Sequence, residues 1–166
     1  MILNFRTQKQ ILDNWCWAAV TSSISFYFDR NSRWMQSALA ARLINNICGG
    51  ITANNSQTAP PICDAQMDIA RALSLTGNLA GDIIRPLSFN EVVQQINGGF
   101  PFCCQIVFPG IQTSHFVILY GYHSTDVIIG DPQAGIFSIN YQDFLSNYRG
   151  GSWQRTIGTK RGTANI

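Results

Sequence analysis

The feature that most constrains this chain is a change of residue pattern near residue 98. Before it, apolar residues recur at helical spacing. Between Asn14 and Phe28 the residues Trp15, Ala18, Ala19, Ile24, Phe26 and Phe28 fill more than one helical face, which predicts a helix buried through the centre of a domain and capped by Asp13 or Asn14. Met35, Leu39, Leu43 and Ile47 predict a second helix, and Met67, Ile69, Ala70 and Leu73, after the Pro60-Pro61 break, a third. Ser88 followed by Glu91 reads as a capping box that opens a fourth helix through Val92, Val93 and Ile96, ending at Gly98-Gly99. Beyond that point come short runs rich in branched and aromatic residues: 102–108, 116–122, 127–129, 135–139 and 152–157. Gly, Pro, Ser and Asp separate them, the pattern of an antiparallel sheet. A short helix around Gln142 to Tyr148, starting near Asn140 or Tyr141, interrupts it.

Helices first and strands second is the segregation of an α+β domain. The expectation is a helical lobe over about 10–98, a β lobe over about 99–160 and a cleft between them, within one domain covering residues 1–166. The Gly-Gly pairs at 49, 98 and 150 are not an internal repeat and read as loop and helix-end glycines.

Composition narrows the partners. Charged residues make up 12% of the chain and the formal net charge is +2, with no basic cluster to neutralise a row of phosphates. Nucleic acid is not an expected partner. No apolar run approaches the roughly 20 residues needed to span a bilayer, so neither is a membrane. The opening Met1-Ile-Leu-Asn-Phe-Arg-Thr7 lacks the pattern of an export signal. The expectation is a soluble chain, either excised from a larger polypeptide or carried out of a cell by another route.

Five cysteines are too few for a disulfide scaffold, and their odd number leaves at least one thiol free. Cys48 and Cys63 either pair across the Gly- and Asn-rich segment between them or stay as two buried thiols. Cys103 and Cys104 are neighbours in an apolar strand, so their side chains point to opposite faces, where a bond between them is strained; they read as core. No C-x-x-C spacing exists for zinc, and no metal or cofactor is expected.

Cys16 stands at the start of the buried helix, where free backbone N–H groups and the helix dipole favour a thiolate. A nucleophile there needs a base, and the chain holds only two histidines. His123 lies in a Gly-Tyr-His-Ser stretch and reads as a solvated turn residue. His115 begins the strand His115–Tyr120. If that strand folds back on 127–131 with the turn centred on His123, then His115 faces Asp131, Val117 faces Ile129 and Leu119 faces Val127, which brings a carboxylate within reach of the imidazole. A slip of one residue would send Asp131 to the other face. Taken singly, each residue has an ordinary reading: Cys16 a buried thiol, His115 a strand-end histidine, Asp131 before Pro132 a turn.

The stretch Gln10-Ile-Leu-Asp-Asn-Trp-Cys16-Trp17-Ala-Ala19 resembles the active-site start of papain-like cysteine proteases, in which a Gln lies six residues before the nucleophile and a Trp follows it. Gly99-Phe-Pro101, His115-Phe-Val-Ile-Leu-Tyr-Gly121-Tyr and Ile129-Gly-Asp131-Pro132 are similar to the bacterial branch of that fold. The Cys-Trp-Ala-Ala form is similar to secreted effector proteases of plant pathogens, and the His and Asp-Pro half to peptidases that cut after double-glycine leaders. The resemblance covers residues 10 to about 140. It implies a papain-like fold with a Cys on the central helix. It further implies Cys16 as nucleophile, His115 as base and then acid, Asp131 as its orienter where papain has Asn, and an oxyanion hole from Gln10 and the Cys16 backbone N–H. Gln8, eight residues before Cys16, is the weaker competitor of Gln10. Trp15 and Trp17 read as packing beside the nucleophile.

The resulting expectation is a hydrolase, a thiol protease that cleaves a protein or peptide through a thioester at a Gly-Gly-type site, acting as a bacterial secreted toxin or effector. Its location would be outside its producer or in the cytoplasm of a target cell. With no inhibitory pro-segment evident, a cognate immunity protein plugging the groove is the expected restraint. The same residues also support a deamidase or an acyl transferase. A catalytically silent binding module is the third reading, against which stands the intact set of Cys16, His115, Asp131 and Gln10.

Overall fold

A computed structural model describes residues 1–162 of the chain. Its first half carries α1 (Cys16–Phe28), α2 (Gln36–Leu43), three short 3-10 turns between Asn46 and Cys63, α3 (Ile69–Thr76), strand β1 (Leu79–Ile83) and α4 (Phe89–Asn97). Its second half carries β2 (Phe102–Val107), β3 (Ser114–His123), β4 (Asp126–Asp131), β5 (Gly135–Asn140), α5 (Tyr141–Ser146) and β6 (Ser152–Thr159). The strands form one antiparallel sheet in the order β1-β6-β2-β3-β4-β5.

The sheet separates two apolar clusters, and the alternation of side chains along β2 and β3 explains why. Cys103, Phe116, Ile118 and Tyr120 join α1, α2 and α3 in one cluster. Cys104, Val117, Leu119, Val127 and Ile129 join α4 and α5 in the other. Cys103 and Cys104 therefore do face opposite ways, both fully buried and both free thiols. α1 is buried nearly all round, as its apolar spread requires.

Several expectations need correction. Neither Asp13 nor Asn14 caps α1: the N-cap is Trp15, with no capping side chain. The residue before that cap is tied to a distant segment, the Asn14 N–H donating to Asp64 Oδ1 (2.8 Å). α2 stops at Leu43, and Ile47 lies in a separate 3-10 turn. Met67 precedes α3. Strand β1, absent from the sequence reading, is a polar edge strand with a burial pattern that gives no alternation. The capping box of α4 is present on both sides, from Ser88 to the Glu91 N–H and from the Ser88 N–H to the Glu91 carboxylate.

The hairpin β3–β4 forms in a register two residues away from the expected one. Leu119 pairs with Ile129, and a bulge before Gly121 moves the turn to Ser124-Thr125. Because side chains alternate with period two, the even shift on the Leu119 side of the bulge keeps the residues there on their faces. His115 and Asp131 thus become diagonal neighbours and stay on the same side.

The N-terminal segment runs across the far strands. The Leu3 N–H donates to the Tyr120 carbonyl (3.0 Å) and the Gln10 N–H to the Pro132 carbonyl (2.8 Å). The close crossing demands Gly130, where a Cβ would overlap the Thr7 hydroxyl.

Candidate active site

Cys16 is the first residue of α1, so its thiol stands where the helix presents unpaired N–H groups and a positive dipole end. A collar of backbone carbonyls from the segment 63–65 fixes this end. The Trp15 indole N–H donates to the Cys63 carbonyl (2.6 Å) and the Trp17 indole N–H to the Ala65 carbonyl (2.9 Å). Both tryptophans are fully buried. Cys63 is in turn joined to Cys48 by a disulfide, which resolves the two alternatives left open by the sequence in favour of the bond.

His115 lies near the start of β3 and its Nε2 meets Asp131 Oδ1 at 2.7 Å. With Nε2 so engaged, Nδ1 is the ring nitrogen left for Cys16, whose thiol lies near enough to raise the imidazole pKa. Burial of the ring works against its charge, but the hydrogen bond it donates to Asp131 and the influence of Asp131 and the nearby Cys16 outweigh it, and the imidazole pKa rises from 6.5 to about 9. The opposite holds for Asp131. Burial alone would raise its carboxyl pKa, yet hydrogen bonding and charge from His115, with help from Tyr148 and Gln133, bring it down to about 2.

Asp131 is 3% exposed and both of its carboxylate oxygens accept hydrogen bonds. Oδ1 receives His115 and the backbone N–H groups of Gln133 (2.8 Å) and Ala134 (3.1 Å); Oδ2 receives the Tyr148 hydroxyl at 2.7 Å. These last contacts fix the carboxylate before the imidazole approaches. Tyr148 follows α5 and is nearly buried. Nothing in the sequence near Tyr148 marks it as part of a site, and only the fold that carries α5 against β4 and β6 brings it here.

Gln10 comes close to this group through its backbone bond to Pro132, but its carboxamide is turned inward. Nε2 donates to the carbonyls of Leu12 (3.1 Å) and Asp13 (2.6 Å), while Oε1 is buried without a partner. Gln8 is committed elsewhere: Nε2 donates to Ser22 (2.9 Å) and Oε1 accepts from Gln36 (3.1 Å). His123 is exposed at the end of β3. A cavity of about 370 Å³ opens beside Cys16, walled by Trp17, Met67 and Phe116.

Comparison with known proteins bears on the family and the fold. Residues 2–160 match the Peptidase_C39 like family. No curated protein matches. Among solved structures, the peptidase domain of Streptococcus ComA, described as a bifunctional ABC transporter involved in quorum sensing, shares 18% identity at a TM-score of 0.62 over 94% of this chain and 98% of that one. A protein from Bacillus anthracis described as a C39-like peptidase shares 16% identity at a TM-score of 0.61 over 98% of both chains. A double glycine motif protease from an AMS/PCAT transporter, solved with a leader peptide, shares 17% identity at a TM-score of 0.56 over 98% of this chain and 94% of that one. Among the described residues no helix is long and apolar enough to cross a membrane. With a papain-like α+β architecture and a match along nearly its whole length, this chain belongs to the Peptidase_C39-like family of cysteine peptidases.

Proposed function

We propose that the chain is a cysteine endopeptidase acting through a Cys16–His115–Asp131 triad, with residues 1–166 working as one domain. The observation that carries the reading is the 2.7 Å contact between His115 and a buried, pre-fixed Asp131, beside a thiol at a helix N-terminus that opens onto a cavity. His115 takes the proton of the Cys16 thiol, and the thiolate attacks the scissile carbonyl to give a tetrahedral oxyanion. Collapse breaks the C–N bond as His115 gives its proton to the leaving amine, leaving a thioester. Water, deprotonated by His115, then attacks the thioester, and its collapse releases the acid and restores Cys16. Asp131 keeps the ring in the tautomer that presents Nδ1 to sulfur and stabilises the imidazolium.

The oxyanion would be met by the Cys16 backbone N–H and Gln10 Nε2. For Gln10 this requires its carboxamide to turn from the Leu12 and Asp13 carbonyls toward the substrate. The buried, unpartnered Oε1 supports such a turn, since the resting position leaves that acceptor unsatisfied. A peptide substrate with a Gly-Gly-type site is the reading supported by the neighbour solved with a leader peptide. A bacterial toxin or effector role, and a cognate immunity protein that plugs the groove, complete the proposal.

The test is intact-protein mass spectrometry after brief exposure to a peptide-based thiol-reactive inhibitor. Rapid single labelling at Cys16, lost in His115→Ala, supports the triad; slow labelling indifferent to His115 overturns it. Two product fragments from a peptide substrate identify proteolysis, and a gain of about 1 Da in an intact substrate identifies a deamidase.

A further inference from the structure

The cavity beside Cys16 has apolar walls and a polar floor, and the floor is wired in one direction. Arg155, on β6, has five N–H donors. Nε donates to Asp82 Oδ1 (2.7 Å), Nη2 to Asp82 Oδ2 (2.6 Å) and Asp68 Oδ2 (3.4 Å), and Nη1 to Asp68 Oδ1 (2.8 Å) and Gln105 Oε1 (3.3 Å). Every donor is taken by the protein, so the guanidinium has none left for an anionic guest. Its role is to aim its neighbours: with Gln105 Oε1 held by Arg155, Gln105 Nε2 points to Ser114 Oγ (2.7 Å), the residue before His115.

Two carboxylates meet this one guanidinium, leaving one negative charge in excess. Asp68 carries it to the cavity, since Asp68 lines the space, its side chain is 54% exposed, and each oxygen keeps acceptor capacity beyond Arg155. Asp82 does not line the cavity. Arg71 lies outside the lining, with Nη1 toward Met67 Sδ (3.8 Å). Glycine would leave a space of about 370 Å³ unfilled, while a long stem covers Trp17, Met67 and Phe116.

We infer that this cavity is a specificity pocket for a basic side chain, lysine or arginine, of the substrate close to its scissile bond, with Asp68 as the charge that selects it. The stem lies along the apolar walls and the cationic head meets the Asp68 carboxylate. The inference rests on the proposed peptidase reading and adds to it what sequence the groove admits. Glycines at other positions of the same substrate are compatible with it.

Peptide libraries with Lys, norleucine, Glu or Gly at each position around the bond test it. Lysine is expected to exceed norleucine in kcat/KM by about fivefold, the range of a solvent-exposed ion pair, and glycine by about tenfold. Asp68→Asn should bring the lysine-to-norleucine ratio near unity, and Asp68→Lys should turn the preference toward Glu. A pocket in which Gly or Glu is preferred at every position, or a lysine preference unchanged in Asp68→Asn, overturns the inference. Alkylation of Cys16 by iodoacetamide, which fills no pocket, separates the two failures and also reports whether the Asp68 variants keep an intact site. Fast His115-dependent alkylation without a lysine preference removes the pocket assignment alone, whereas slow alkylation indifferent to His115 removes the catalytic reading beneath it.

Discussion

Three free thiols in this molecule occupy two opposite settings. Cys103 and Cys104 lie in the middle of β2, fully buried against the two apolar clusters, and burial pushes both thiols well above their ordinary pKa. Cys16 is nearly as buried, at 6% exposure, but sits at a helix N-terminus with an imidazole as its partner and a cavity in front. The comparison teaches that exposure alone does not make a thiol chemical. What differs, in the proposed mechanism, is a partner placed to take its proton and a position at a helix N-terminus.

The largest break of that contrast is Cys16→Ala against Cys104→Ala. The first should lower turnover on the order of 10⁵–10⁶-fold with folding intact. The second should leave kcat/KM within a few-fold and instead cost about 1–2 kcal/mol in a denaturation curve, as a small core truncation does. Gln10→Ala comes next, with an expected loss of roughly 10²–10³-fold in kcat, the range for one oxyanion donor.

Asp131→Asn sharpens the same contrast through pH. His115 keeps its proton up to about pH 9 in the wild type, so activity that needs the thiolate–imidazolium pair should fall as pH rises through that value. In the variant this alkaline limb should move toward the ordinary 6.5, with a loss of about 10²-fold in kcat/KM at neutral pH. Stability follows the same signs. The raised pKa of His115 contributes stability that is complete below 6.5 and fades as pH rises through about 9; the depressed pKa of Asp131 contributes stability present above 3.8 and lost as pH falls through about 2. The smallest loss expected around the triad is that of Tyr148→Phe, about tenfold in kcat/KM with an alkaline limb moved slightly down, read from a pH–rate profile.

How far the sequence carries differs from element to element. α1 is legible because its apolar residues fill the helix surface, and α4 because its cap is local, with Ser88 and Glu91 close in the chain. The start of α1 is not legible as a cap, since no side chain caps it and the contact that holds the preceding Asn14, from Asp64, comes from a distant segment. The His115–Asp131 pair is reached with a register that is wrong by two residues, and it survives because alternation preserves the face under an even slip. A bulge before Gly121, which no local pattern announces, causes the shift. β1 is hidden by its polar edge position. Tyr148 is invisible for the same reason as Asp64: its role exists only once distant segments meet.

The Cys48–Cys63 disulfide ties down the segment whose carbonyls hold Trp15 and Trp17, and through them the end of the helix that carries Cys16. Its sequence separation of 15 corresponds to about 3 kcal/mol of loop-closure stabilisation in the chain-entropy picture. The proposed attack by Cys16 requires a reduced sulfur, while the collar that positions it is completed by an oxidised pair. Activity plotted against ambient redox potential should therefore be a band with two edges. Oxidation of the nucleophile closes it on one side, and reduction of the collar closes it on the other.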